Sequence, residues 1–268
     1  MEIRNRSSSV RRWEGKALAA IKALCLVGFP AVPMLVYLSR RHPSLSGVTA
    51  AQQIDQLAAA ATRWAQVHFA FSVGGFLALA AVLILRREVA TKAPELWTNA
   101  AAAIGVIGGV IFTGTVLMEV SVIPALSRAC AASPACLHPD NAVFSQELAN
   151  QGWRVLPGLG LGGRTLMAGI ALIALLGILY GSLRNWEGAA LFFGAILEIG
   201  NDTGLHAWGN FEPASGMPGL AALALLAGGA GVGWRLLRGI PPGAERPAES
   251  IATEPALDTV EVEPAEAP

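Results

Sequence analysis

The chain has 268 residues, 53% hydrophobic and 14% charged, with 19 basic residues balancing 19 acidic ones. Soluble domains carry roughly 25% charged residues, so this composition, joined to long apolar runs, excludes an ordinary soluble protein. The neutral balance leaves no basic signature for nucleic acid.

In chain order, the first segment, 1–16, is a basic flank that reads as cytoplasmic. The apolar run after it is long and has no small-residue cleavage site, so it is read as a retained first span rather than a signal peptide. Six runs are long enough to cross about 30 Å of hydrocarbon, which takes about 20 helical residues. They lie near 17–38, 64–85, 97–120, 165–183, 188–208 and 217–237. Backbone groups in lipid must be satisfied within the segment or in a closed barrel, and these runs lack the alternation of barrel strands. The expected fold is all-α: a polytopic membrane protein, a six-transmembrane-helix bundle over 17–240 with both termini cytoplasmic.

The orientation rests on basic residues. Twelve lie in the segments assigned inside, against six outside: Arg40, Arg41, Arg63, Arg128, Arg154 and Arg164. That bias sets the N-terminus inside. It also places the loops 39–63 and 121–164 outside, with Cys130 and Cys136, where a short disulfide-closed loop is permitted. Cys25 falls in the first span as a buried thiol.

Thr49 and Gln52 fit a helix-start capping box, so span two is expected to begin near Ala50 and rise above the membrane. A short helix is expected after Asp140 or Asn141, whereas "LPGLGLGG" (156–163) is too glycine-rich to read as helix. The tail, 241–268, has seven acids and one arginine, a net of −6, and reads as an acidic, disordered cytoplasmic segment. Glycine pairs such as "IGGV" and "AGGAGVG" suit close helix packing, either within the bundle or against a membrane-protein partner. No internal repeat emerges.

The fifth run carries Glu198, Asp202 and His206 at four-residue spacing, one slowly drifting stripe. With the stated orientation, His206 lies near the outer interface, Asp202 about 6 Å deeper and Glu198 about 12 Å deeper. His68, Glu119 and Arg164 fall at the same level on spans two, three and four. The inner halves hold almost no ionisable group except Lys22. Each ionisable group at mid-span costs about 2.5–3.5 kcal/mol, so a shared layer implies mutual pairing, water, protons or a bound cation.

With histidines neutral, three carboxylates face one arginine. That deficit suits a divalent cation or protonated carboxylates. The metal-ligand set on this reading is His68, Asp202, His206, Glu198 and Glu119, with zinc, iron or manganese matching the mixed oxygen and nitrogen donors. In an enzyme, a metal on His68, Asp202 and His206 would lower the pKa of a bound water toward ~7, with Glu119 or Glu198 as proton acceptor. Arg164 is read as a structural ion-pair partner of the carboxylates. Haem b between His68 and His206 ranks lower, because Asp202 and Glu198 would crowd an apolar ring. HExxH, phosphate-loop and serine-triad patterns are absent, and no catalytic residue is assigned. The function expected is therefore a metal-dependent enzyme or a transporter built around a cation- or proton-binding cluster. The alternatives are an accessory or scaffold subunit and a haem electron carrier.

Overall fold

The computed structural model describes residues 2–39, 49–136, 158–202 and 217–241, and side chains within them except at 2–14, 37, 38, 158, 159, 201, 202, 217 and 218. Among these residues every regular element is a helix: α1 Glu2–Leu38, α2 Ala50–Ala59, α3 Ala61–Val89, α4 Glu95–Ala131, α5 Gly158–Leu179, α6 Asn185–Asp202 and α7 Met217–Leu237. Five of them, α1, α3, α4, α5 and α7, contain stretches long and apolar enough to cross a membrane. α6 is shorter and carries three acids, Glu187, Glu198 and Asp202, in 18 residues.

The helices close into a ring. α1 packs on α3, α3 on α4, α4 on α5, α5 on α6, α6 on α7, and α7 returns to α1, while α3 also meets α5 across the middle. The main core runs through Leu26 of α1, Val82 and Leu85 of α3, Ile170 and Ile173 of α5, Leu191 of α6 and Val232 of α7. The outward faces are apolar too: Ile21, Leu24, Phe69, Phe76, Leu83, Ile107 and Val110 are all exposed. An apolar stripe all round matches a lipid surrounding and not water.

Two ends can be distinguished. At one end lie Arg86 and Arg87 of α3, Lys92 in the turn after it, Arg235 of α7 and Arg238 just beyond, with exposed Trp97, Tyr180, Trp186 and Trp234. Exposed indoles and phenols beside cationic side chains suit a membrane–water boundary. This is called the basic end. At the other, the disulfide end, α2 lies against α4, and Ile54, Leu57, Trp64, Ile123 and Cys130 form a second buried cluster. Cys130 and Cys136 are joined by a disulfide, as the sequence allows. By loop-closure entropy a ring this short contributes about 2 kcal/mol. The Cys130→Ser/Cys136→Ser variant should therefore lose about that much in thermal or denaturant unfolding; an unchanged melting temperature would mean the α2–α4 cap holds by packing alone.

Several boundaries differ from the sequence reading. The capping box forms: the Gln52 amide N–H donates to Thr49 Oγ1 and the Thr49 amide N–H to Gln52 Oε1. Yet α2 ends at Ala59, and α3 starts anew at Ala61. α4 continues to Ala131 through Pro124, so Glu119 lies inside a helix rather than at its end and the loop expected from 121 begins later. α5 starts at Gly158, so the glycines read as unsuited to helix are helical.

The reason lies across the interface. A Cβ on Gly162 would strike the backbone of Phe112, and one on Gly108 would strike Leu166 N, with Thr165 C at 2.6 Å and Gly162 O at 2.8 Å. Gly169 meets Gly105 in the same way. Their lack of side chains is what lets antiparallel α4 and α5 touch backbone to backbone, and that contact outweighs weak helix propensity. The expected helix after Asp140 and the acidic tail lie outside the described residues.

Candidate functional site

His68 sits two turns into α3, four residues after Trp64, so the two rings share one helical face. They stack at 4.1 Å between centroids, 21° from parallel. Phe71 meets the imidazole edge-on at 6.0 Å. Trp64 is fully buried and belongs to the disulfide-end cluster, so it closes the imidazole off from that side. Across the α3–α4 interface, Glu119 brings Oε2 to 2.9 Å from His68 Nε2. His68 is 6% exposed and Glu119 4%.

The other ring nitrogen fixes the proton count. His68 Nδ1 lies 2.9 Å from the carbonyl oxygen of Trp64. A carbonyl only accepts, so Nδ1 carries a hydrogen and donates it. The short contact between Nε2 and Glu119 then needs a proton of its own. It resides on nitrogen as an imidazolium–carboxylate pair, or on oxygen as a carboxylic acid donating to a neutral imidazole. Both forms are neutral overall, and they differ only in where one proton sits along 2.9 Å. A neutral pair is the form a low-dielectric interior tolerates.

Hydroxyls line the same interface. Ser72 Oγ donates to the His68 carbonyl, and Thr115 Oγ1 to that of Ile111. Thr113 Oγ1 is buried against the Cα face of Gly75.

Of the residues singled out from the sequence, the structure brings His68 and Glu119 together. Glu198 and Arg164 are half-buried on α6 and α5. α3 supplies His68 and α4 supplies Glu119, while α6 packs on α5 and α7. The Asp202 side chain, and His206 altogether, lie outside the described residues. Among the described residues no three His, Cys, Asp or Glu side chains gather closely enough to hold a metal ion.

The sequence reading leaves the opposite halves of the spans with almost no ionisable group except Lys22; at the helix ends on that side, charge is nevertheless buried. At the basic end Glu88 of α3, Glu187 of α6 and Arg235 of α7 are all buried, with Arg235 1% and Glu187 0% exposed. Arg235 Nε is 3.5 Å from Glu187 Oε2, and Nη1 is 3.8 Å from Glu88 Oε2. Arg184 Nε stands 3.9 Å from Glu187 Oε1. Arg235 is one of the twelve basic residues that the sequence reading assigns to the inner segments. Its signal was present: Glu88, Glu187 and Arg235 each lie within one turn of a helix end on the same side. No family model, curated protein or solved structure matches the chain.

Proposed function

We propose that the chain is a membrane protein of six spans with both termini in the cytoplasm, and that its function runs through a proton held between His68 and Glu119 near the extracytoplasmic surface. The chemical class this fits is proton-coupled transport, in which a buried site changes its proton occupancy as the bundle rearranges. The observation that carries it is the 2.9 Å contact between two buried ionisable groups whose hydrogen-bond geometry demands one shared proton. Isolated buried charges are expensive, so a pair maintained there with Nδ1 anchored to the backbone is a functional feature by default. The disulfide supports an oxidising compartment at that end, and the cationic groups support the cytoplasm at the other.

A divalent cation is the competing occupant. Zinc, iron or manganese on His68 and Glu119 would need Glu119 to swing off Nε2 and further donors from Glu198, Asp202 or His206. A haem on His68 would likewise need Nε2, which Glu119 engages. The proton reading requires no rearrangement.

Infrared difference spectra of the purified protein across a pH step test it. A paired change in the carboxyl and imidazole bands is expected in the wild type and absent in Glu119→Gln and His68→Gln. About one equivalent of zinc, iron or manganese per chain by elemental analysis, lost in those variants, would put a cation in place of the proton. Wild-type spectra identical to those of both variants would remove the site.

A further inference from the structure

We infer that α2 is a gate over the His68–Glu119 site, hinged at Ala60 and closed by the Trp64 indole. The gate rests on the proton reading above and supplies the route by which that site meets water. α3 and α4 run antiparallel, so their register places the parts. One turn toward the disulfide end from His68 and Glu119 come Trp64 and Ile123, both buried in the cluster with Ile54 and Leu57 of α2 and Cys130. One turn the other way come Ser72 and Thr115, both buried, and beyond them Gly75, where an added Cβ would have Thr113 Cβ at 3.3 Å. The pair is thus closed on the inner side by two long helices drawn tight. On the outer side it is closed by one indole and one short helix, and it lies about 10 Å from the first residue of α3.

α2 has ten residues, below the length at which an isolated helix persists in water, so it stays formed by what it docks on. Its buried side chains are Ile54 and Leu57, while Gln52 and Asp55 face outward. It packs chiefly on α4 and little on α3, the helix that follows it in the chain. The join is one residue, Ala60, whose φ of −92° and ψ of 6° leave the helical geometry of both neighbours. A short break beside a lightly docked element is where hinge motion and local opening concentrate.

The rest of the site stays in place when α2 lifts. The disulfide ties the end of α4 into a closed ring, and Cys130 lines the surface that α2 covers. His68 keeps its anchor, because Nδ1 donates to the Trp64 carbonyl and not to the indole. With Ile54 and Leu57 withdrawn, the indole is free to turn about its own side-chain torsions and leave the imidazole face on which it stacks at 4.1 Å. Nε2 and Glu119 then meet the outer solution with the pair still formed. The proton enters or leaves in the open form and is held in the closed one, which is the alternation a coupled site needs.

Two measurements on the full-length protein, both read by mass spectrometry, test the gate. In hydrogen exchange of the wild type under native conditions, the amides of α2 are expected to exchange at least ~100-fold faster than those around Val82 and Leu85 in the core, as a local opening does. Diethyl pyrocarbonate, which acylates an accessible imidazole, should modify His68 slowly in the wild type. In Ile54→Ser/Leu57→Ser, which undocks α2 and leaves Trp64, His68 and Glu119 in the chain, the rate should rise at least ~10-fold for the two buried aliphatic side chains lost, with the core amides still protected. Wild-type α2 amides as protected as those of the core, or His68 acylated at one rate in the two proteins, would overturn the gate. Acylation reports access to His68 wherever the proton sits. The pair's infrared bands with an unchanged acylation rate therefore remove the gate alone, whereas a raised rate without those bands supports the gate and removes the proton reading.

Discussion

Arg235→Ala is expected to lower the folded stability by about 3–5 kcal/mol, the loss typical when one partner of a buried ionic group is removed and the other charge stays behind. Two carboxylates, Glu88 of α3 and Glu187 of α6, are left behind here. The deficit should shrink as pH falls, because protonation abolishes the stranded negative charge. Replacing all three, in Glu88→Leu/Glu187→Leu/Arg235→Leu, should restore much of the stability, since an apolar set of similar volume often equals or exceeds a buried ionic one. Thermal unfolding in detergent across a pH series measures both. An Arg235→Ala protein as stable as wild type at neutral pH would mean the guanidinium is solvated in the membrane and not the centre of a buried trio.

Gly108→Leu should be at least as damaging, through a different cause. The α4–α5 contact is backbone against backbone, with Thr165 C and Gly162 O within 2.8 Å of where a Cβ would be. Neither a carbonyl nor a helix axis yields as a flexible side chain would. The two helices must separate, and the seam through Gly105, Gly162 and Gly169 opens with them. The loss should exceed about 3 kcal/mol, above the usual range for overpacking, because it is the helix pair and not one rotamer that moves. Gly114 on the same helix is the control. A Cβ there meets nothing within 4 Å, so Gly114→Ala should be neutral or gain about 0.5–1 kcal/mol from helix propensity. Equal melting temperatures for Gly108→Leu and Gly114→Ala would break the link between glycine and close approach.

The same seam explains what the sequence did and did not disclose. Apolar length alone located the runs of α1, α3, α4, α5 and α7, and Thr49 with Gln52 located the start of α2. Propensity misjudged 158–163, because "GLGLGG" owes its helix to Phe112 and Leu166 on another element, which no local rule contains. Depth along a span correctly set His68 level with Glu119, since rise per residue is constant. It could not say that their atoms meet, nor that α5 lies between α4 and α6. Glu88, Glu187 and Arg235 were legible by the same depth argument, but charges near helix ends read most simply as loop residues, and only packing turns those ends inward.

The state of the His68 ring nitrogens tests the shared proton most directly. Nitrogen NMR of imidazole-labelled protein, with His68 assigned from His68→Gln, should show Nδ1 bearing hydrogen and Nε2 in a strong hydrogen bond whose signal shifts in Glu119→Gln. A His68 Nε2 signal that is the same with and without Glu119 would contradict the pair and, with it, the proton site.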